Sequence, residues 1–278
     1  MIVAIVGLGL IGGSVGQALA SSGFVKRVIG YDRNPDACAE AIKQGCVREV
    51  ADCLEDAREA NLWLLAVPPS EVHGVLRELA DVIKMSAVVT DCASVKSAIV
   101  AGVPEALETR FVGGHPIAGN AGQGAKFASP DLFDEAVWVL TPTPRTNPDA
   151  VLTVEELVRD LGATPVSMTP EEHDRHAAVL SHLPHLLASA LILQSEFLTF
   201  PNMAGGSWRD ITRVAGSNPR LYADILIQNA PVLLSAIETM RDQLDAYAKA
   251  IGSGESDSVQ RILEAAYKLK YDREREWI

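Results

Sequence analysis

Gly7-Leu8-Gly9-Leu10-Ile11-Gly12 stands directly between an apolar run, residues 2–6, and a stretch with helical spacing. At the exit of a buried strand each of these glycines has its own reason. The first permits a tight turn, the second lets the backbone come close to a pyrophosphate, and the third lets helix and strand pack together. The helix N-terminus then faces the phosphates with its free N–H groups. The next apolar run ends at Tyr31-Asp32, and Asp32 lies 20 residues beyond Gly12, where a carboxylate can accept a hydrogen bond from a ribose hydroxyl. The stretch reads as a dinucleotide site. Asp32 favours NAD, because a carboxylate repels a 2′-phosphate. Arg33 beside it keeps NADP possible, since a reoriented guanidinium could pair with that phosphate.

Outward from this stretch, short apolar runs alternate with polar helical ones. Residues 2–6, 28–31, 62–67, 87–90, 111–113, 137–140 and 164–168 read as buried strands, and residues 70–83 and 151–161 as amphipathic helices. Strand and helix in alternation imply a mostly parallel sheet covered on both faces, an α/β Rossmann domain over residues 1–169. After Thr169-Pro170 the strand signals stop. Residues 170–278 read as all-helical, with breaks at 201–206, 216–219 and 252–254, one long apolar helix over 221–251 and a charged, solvated end over 267–278.

The composition narrows the function. A net charge of −12 argues against a nucleic-acid partner, and it means that a site for an anionic substrate must carry its own local positive charge. Cys38, Cys46, Cys53 and Cys92 have no paired spacing, which fits a reducing cytoplasm better than a disulfide framework. Ala18-Leu19-Ala20-Ser21 looks like a cleavage site, but the basic n-region is missing and glycines interrupt the apolar stretch, so neither a leader nor a membrane span is expected.

Ligands of an open parallel sheet collect at the carboxyl ends of its strands. Val67-Pro68-Pro69, the segment from Asp91 to Lys96, and Gly113-Gly114-His115-Pro116 all follow strands, so they should line one edge near the nicotinamide. The expected cofactor-binding set is Gly7, Gly9, Leu10, Ile11, Gly12, Asp32, Arg33, Val67 and Pro68. His115, in a glycine-rich turn, is the candidate catalytic base. Ser94 is a candidate catalytic hydroxyl or simply the N-cap of the next helix.

In the helical half Pro184 interrupts a helical run, at a normal cost of about 3 kcal/mol, and needs a compensating reason. His173, His176, His182 and His185 fall within thirteen residues. The cluster fits a single substrate-facing histidine better than a metal site, and no metal is expected. Arg209 and Arg213, four apart on one helix face, read either as a carboxylate clamp or as a solvated arginine beside an Asp210–Arg213 pair.

Taken together, GLGLIGGS, DCASVK, GGHPIAG, EHDRHAAVLSHLPH and GSWRDITRVAGSNP, in that order, resemble the prephenate/arogenate (cyclohexadienyl) dehydrogenase family nearly end to end. The resemblance implies a cytoplasmic enzyme of tyrosine biosynthesis that oxidatively decarboxylates a small dicarboxylate with NAD. It implies that His115 draws off the ring hydroxyl's proton, with Ser94 orienting both. His185 would contact the substrate side chain, Arg213 would bind a carboxylate, and Arg209 would stand where relatives carry a basic residue. It further implies a homodimer formed through the helical domain. Two positions depart from the family pattern: Asn120-Ala121 where many relatives have an acid, and Tyr222 where many have tryptophan. With no length left for an appended domain, any feedback by tyrosine would act at the active site. Two rivals remain. A β-hydroxyacid dehydrogenase would need a catalytic lysine, and Lys249, Lys268 and Lys270 lie in no such motif. A dinucleotide-sensing regulator would bind NAD without turnover.

Overall fold

Residues 2–6, 62–65 and 88–91 are almost wholly buried because their strands sit in the middle of a sheet with helices on both faces. The computed structural model describes residues 1–120, 122–197 and 201–274. Along the chain, β1 (Ile2–Val6), α1 (Leu10–Leu19), β2 (Arg27–Tyr31), α2 (Pro35–Lys43), β3 (Leu62–Leu65), α3 (Pro69–Val82), β4 (Val88–Asp91), α4 (Ser97–Ala101), β5 (Phe111–Pro116), β6 (Val137–Thr141), α5 (Pro148–Asp160) and β7 (Thr164–Ser167) form the α/β half. The sheet order is β2-β1-β3-β4-β5-β6-β7. All neighbours are parallel except β5 and β6, which are antiparallel. Alternate side chains serve opposite faces. Val3, Ile5 and Leu64 enter one core, and Ala4, Val6, Trp63 and Leu65 enter the other.

β5 corrects one expectation. His115 lies inside a strand, opposite Val139 of β6, rather than in a glycine turn. The two glycines before it serve close approach instead. A Cβ at Gly113 would lie 2.3 Å from the Thr141 hydroxyl, and one at Gly114 would lie 2.5 Å from the Asp91 carbonyl. Side chains there would push the neighbouring strands apart.

Helices follow: α6 (Pro170–Ala177), α7 (Leu183–Gln194), α8 (Gly206–Thr212), α9 (Pro219–Gln228), α10 (Ala230–Gly252) and α11 (Ser256–Glu274). Thr169 and Glu172 close a reciprocal capping box at the start of α6. Between α6 and α7, residues Ala178–His182 form a π turn, and the Leu183 N–H reaches back five residues to the Ala178 carbonyl. A wider turn just before Pro184 answers the need for compensation at that proline. The run Pro170–Gln194 is long and apolar enough to cross a membrane by length and composition. It nevertheless buries His173, Asp174, His182 and His185.

The expected long helix over 221–251 is instead two helices, broken at Asn229. Asn229 is buried, ends α9, and donates its side-chain amide to the Asp174 carbonyl at 2.9 Å. Pro231, in the first turn of the next helix, has no N–H with which to continue the ladder. The chain divides into two compact units, Met1–Ala230 and Pro231–Ile278. The first holds the sheet and every helix through α9, and the second is built of α10 and α11. Of the charged terminal stretch expected over 267–278, the last four residues lie outside the described ones, as does Ala121.

Candidate active site

The glycine loop has the shape its spacing implied. Gly7 takes φ +95°, donates its N–H to the Tyr31 carbonyl at 2.8 Å, and could accept no Cβ, which would fall 2.5 Å from the Ala66 carbonyl. A Cβ on Gly12 would strike the Gly7 carbonyl at 1.9 Å, so that position packs helix against strand. Gly9 has open space where its side chain would be, which is the approach a pyrophosphate requires. Leu10 and Ile11 open α1 above it. Val67 and Pro68 leave β3 alongside, with the Val67 methyl against Gly7. Asp32 accepts from Leu8 N at 2.9 Å and from Asn34 N at 2.8 Å. Those bonds use two of the roughly four lone-pair directions of a carboxylate, leaving room for a ribose hydroxyl. Arg33 points elsewhere, paired with Glu78 at 2.5 Å. The residues present therefore fit a dinucleotide.

Next along the same edge, Asp91 and Lys96 form an ion pair in which both side chains are 0% exposed. Each member of the pair has further hydrogen-bond partners. Asp91 accepts from Ala93 N and Gly114 N, both at 3.0 Å, and the Lys96 ammonium also donates to the Gly114 carbonyl at 2.7 Å. This clamps the residue before His115.

Ser94 does not cap α4; the N-cap position belongs to Lys96 and has no side-chain cap from its own segment. Asp174, reaching in from α6, takes that place. It accepts from Lys96 N and Ser97 N, each at 2.8 Å. Burial pushes the Asp174 carboxyl up, but hydrogen bonds from His173, Ser97 and Lys96 outweigh it and hold the group below its usual range. The Ser94 hydroxyl makes no hydrogen bond with the described residues.

His115 and His173 meet edge to ring, Nδ1 to Nε2 at 2.8 Å, and His173 Nδ1 lies 2.8 Å from Asp174 Oδ1. Burial, followed by the nearby His173, Lys96 and His182, holds His115 well below the ordinary histidine range, so the ring is neutral. Its Nε2 has no partner among the described residues. His182 is fully buried and its Nδ1 meets the Asn229 amide at 3.2 Å. Burial lowers it to about 4, against the opposing pull of Asp174 and the Ser94 carbonyl.

His185 lies next to the turn at residues 213–216, with the Val214 carbonyl facing it, and stacks on Tyr222. Burial lowers its pKa. Arg209 stands on α8, whereas Arg213 opens the following 3₁₀ turn, so the two do not sit on one regular helix face. Both are exposed, and neither forms an ion pair among the described residues; the Asp210–Arg213 pair, the alternative to a carboxylate clamp, is not formed. His176 is turned outward onto the Glu172 carbonyl. No group of three or more His, Cys, Asp and Glu among the described residues is arranged to hold a metal ion.

The structure thus gathers His115, His182, His185 and the Ser94 segment. It adds Asp91, Lys96, His173, Asp174 and Asn229, which the sequence reading did not single out as one network. The available signal was two charges, Asp91 and Lys96, flanking an otherwise apolar strand exit, and Asp174 beside His173.

Known proteins share this fold. The profile described as "Prephenate dehydrogenase, nucleotide-binding domain" matches residues 15–167, and "Prephenate dehydrogenase, dimerization domain" matches 169–265. The prephenate dehydrogenase of Bacillus subtilis is 33% identical over 94% of this chain and 72% of its own. The crystal structure of Aquifex aeolicus prephenate dehydrogenase in complex with hydroxyphenyl propionate and NAD+ superposes with TM-score 0.89 at 32% identity, covering 98% of each chain. Synechocystis arogenate dehydrogenase gives 0.84 at 31%, covering 99% of this chain and 100% of its own. With a dinucleotide-shaped glycine loop, a neutral histidine on the same sheet edge and both family domains in order, this chain belongs to the prephenate dehydrogenase family and is a dehydrogenase of that family.

Proposed function

We propose that the chain converts prephenate or arogenate, with NAD, to 4-hydroxyphenylpyruvate or tyrosine plus carbon dioxide and NADH, as a step of tyrosine biosynthesis in the cytoplasm. One observation carries the chemistry: a neutral His115, held at one ring nitrogen and bare at the other, on the sheet edge that bears the glycine loop.

Bound at Gly7, Gly9, Gly12 and Asp32, the nicotinamide dinucleotide supplies the hydride acceptor. His115 Nε2 takes the proton of the ring hydroxyl as the hydride leaves the same carbon, and the C–O bond becomes a carbonyl. The ring carboxylate then departs as carbon dioxide, and its bonding electrons pass into the ring and make it aromatic. His115 returns its proton to the phenolate oxygen, so no net proton is taken up or released. Ser94 orients the hydroxyl. Arg213, seconded by Arg209, holds the side-chain carboxylate, which explains why an acidic protein leaves two arginines without acidic partners among the described residues. His185 contacts the side chain that distinguishes the two acids. Residues 170–278 serve as the substrate-binding and dimerisation domain.

The working unit is a homodimer. Val179, Leu180, Ile192 and Leu193 of the π turn and α7, and Leu234 and Leu244 of α10, are exposed apolar side chains of the kind a partner copy covers. Light scattering behind size exclusion should give twice the chain mass.

The test is formation of reduced cofactor with prephenate and arogenate, each with NAD and with NADP. Turnover of either acid with NAD is expected. Binding of NAD without turnover of either would favour a sensor instead.

A further inference from the structure

The hydrogen-bond chain from Asp174 through His173 to His115 has a direction. The Asp174 carboxylate already accepts two backbone N–H groups and is held ionised by its partners. It has no proton to give, so His173 Nδ1 is the donor in their 2.8 Å bond. A neutral imidazole that donates through one nitrogen accepts through the other. His173 Nε2 is then an acceptor, and the hydrogen in its 2.8 Å contact with His115 belongs to His115 Nδ1.

We propose that Asp174 and His173 lock His115 in its Nδ1–H form, so that a lone pair rather than an N–H is presented at Nε2. The inference rests on the reading of His115 as the proton acceptor and explains how that reading is enforced. His173 is a positioning residue, acting only through His115. An unlocked imidazole divides its hydrogen between two nitrogens, and the form with Nε2–H cannot take a hydroxyl proton. Once His115 is doubly protonated, its Nδ1–H bond to His173 becomes charge-assisted, with the Asp174 carboxylate behind it. The groups facing His115 are His173 and Asp174 of α6, Lys96 with its partner Asp91 from the β4–α4 connection, and His182 of the π turn. Asp174 is itself pinned across two elements, since its carbonyl receives the Asn229 amide. The lock is therefore anchored to the sheet edge through α4 and to the end of α9.

The experiment is nitrogen NMR of the full chain labelled in its histidines, without substrate, with His115→Asn identifying the signal. His115 should carry hydrogen at Nδ1 and none at Nε2. In His173→Ala its signal should move to a tautomer mixture, and kcat should fall roughly ten- to a hundredfold. In His173→Gln, whose amide oxygen can accept but cannot relay a proton, the tautomer and most of the turnover should return. A wild-type His115 protonated at Nε2 overturns the proposal, as does a His173→Ala variant with unchanged tautomer and turnover. Equal loss in the Ala and Gln variants, with the tautomer undisturbed, overturns it too. The NMR measurement needs no substrate. A wrong reaction would therefore appear separately, as a locked His115 in a protein that oxidises neither acid.

Discussion

The His185 imidazole lies flat on the Tyr222 ring, with centroids 3.6 Å apart and planes 11° from parallel. One ring comes from α7 and the other from α9, so the stack fixes the helix carrying His185 against the helix that follows the arginine turn. A stacked pair of this kind contributes about 0.5–1.5 kcal/mol beyond its buried area. Tyr222→Leu should raise the substrate KM about two- to tenfold with kcat little changed, and Tyr222→Trp should restore it. Steady-state kinetics decides, and an unchanged KM in the leucine variant would reduce the stack to packing.

Arg33 is occupied by Glu78, and both side chains are about half exposed. Such a pair is weak, worth at most about 1 kcal/mol. Glu78→Ala should free the guanidinium and raise kcat/KM for NADP relative to NAD by about two- to tenfold. If the ratio stays fixed, Arg33 is too far from the ribose to matter.

His115→Asn should lower kcat by at least about a hundredfold while leaving NAD affinity within about twofold. The pH profile has a defined sign. A base acts only when unprotonated, and burial, with His173, Lys96 and His182, holds His115 well below 6.5. The rate should stay level as the pH falls through 6.5 and drop only at clearly lower pH. A half-maximal point at 6.5 or above would contradict the buried setting.

Lys96→Met would leave the Asp91 carboxylate buried and without its cation, and should cost about 3–5 kcal/mol in denaturant unfolding. Adding Asp91→Asn should recover part of that loss, because a neutral amide has less to lose by burial. Equal stability of the single and double variants would mean that the charge is screened in some other way.

Folded His182 protonates at about 4, whereas an ordinary histidine does so at 6.5. Between those values the unfolded chain binds the extra proton, so stability is complete above the window and falls as the pH drops through it. The loss amounts to ~3 kcal/mol by the lower end. Thermal unfolding across the window should show this slope, and His182→Gln should make it shallower. A slope identical in both proteins would assign the acid sensitivity to other groups.

The cofactor loop was legible in the sequence because its determinants are local: three glycines, a strand and an acid within a few dozen residues. The setting of His115 was not. Gly113 and Gly114 read as a turn, yet their lack of side chains answers to Thr141 and Asp91, which no local pattern brings near. Asp174 caps a helix 78 residues earlier, and Asn229 reaches back 55 residues to Asp174. Contacts over such separations leave only a weak trace, a polar residue where an apolar one would be expected. The break at Asn229 leaves no local signal for the same reason, since the apolar spacing runs through it unaltered.

The π turn at Ala178–His182 has a consequence for how the helix can change. At about 100° per residue, nine positions of regular α-helix would set His173 and His182 on opposite sides. One surplus residue in a widened turn takes up about 100° of that rotation and brings both histidines to the Asp174–Asn229 side. The turn works as a phase shifter. Deleting a single residue there would let the backbone tighten toward regular α-helix, short of the bond that Pro184 cannot donate, and would rotate His185 and all of α7 out of register. At this point in the chain, length is more tightly constrained than chemical identity.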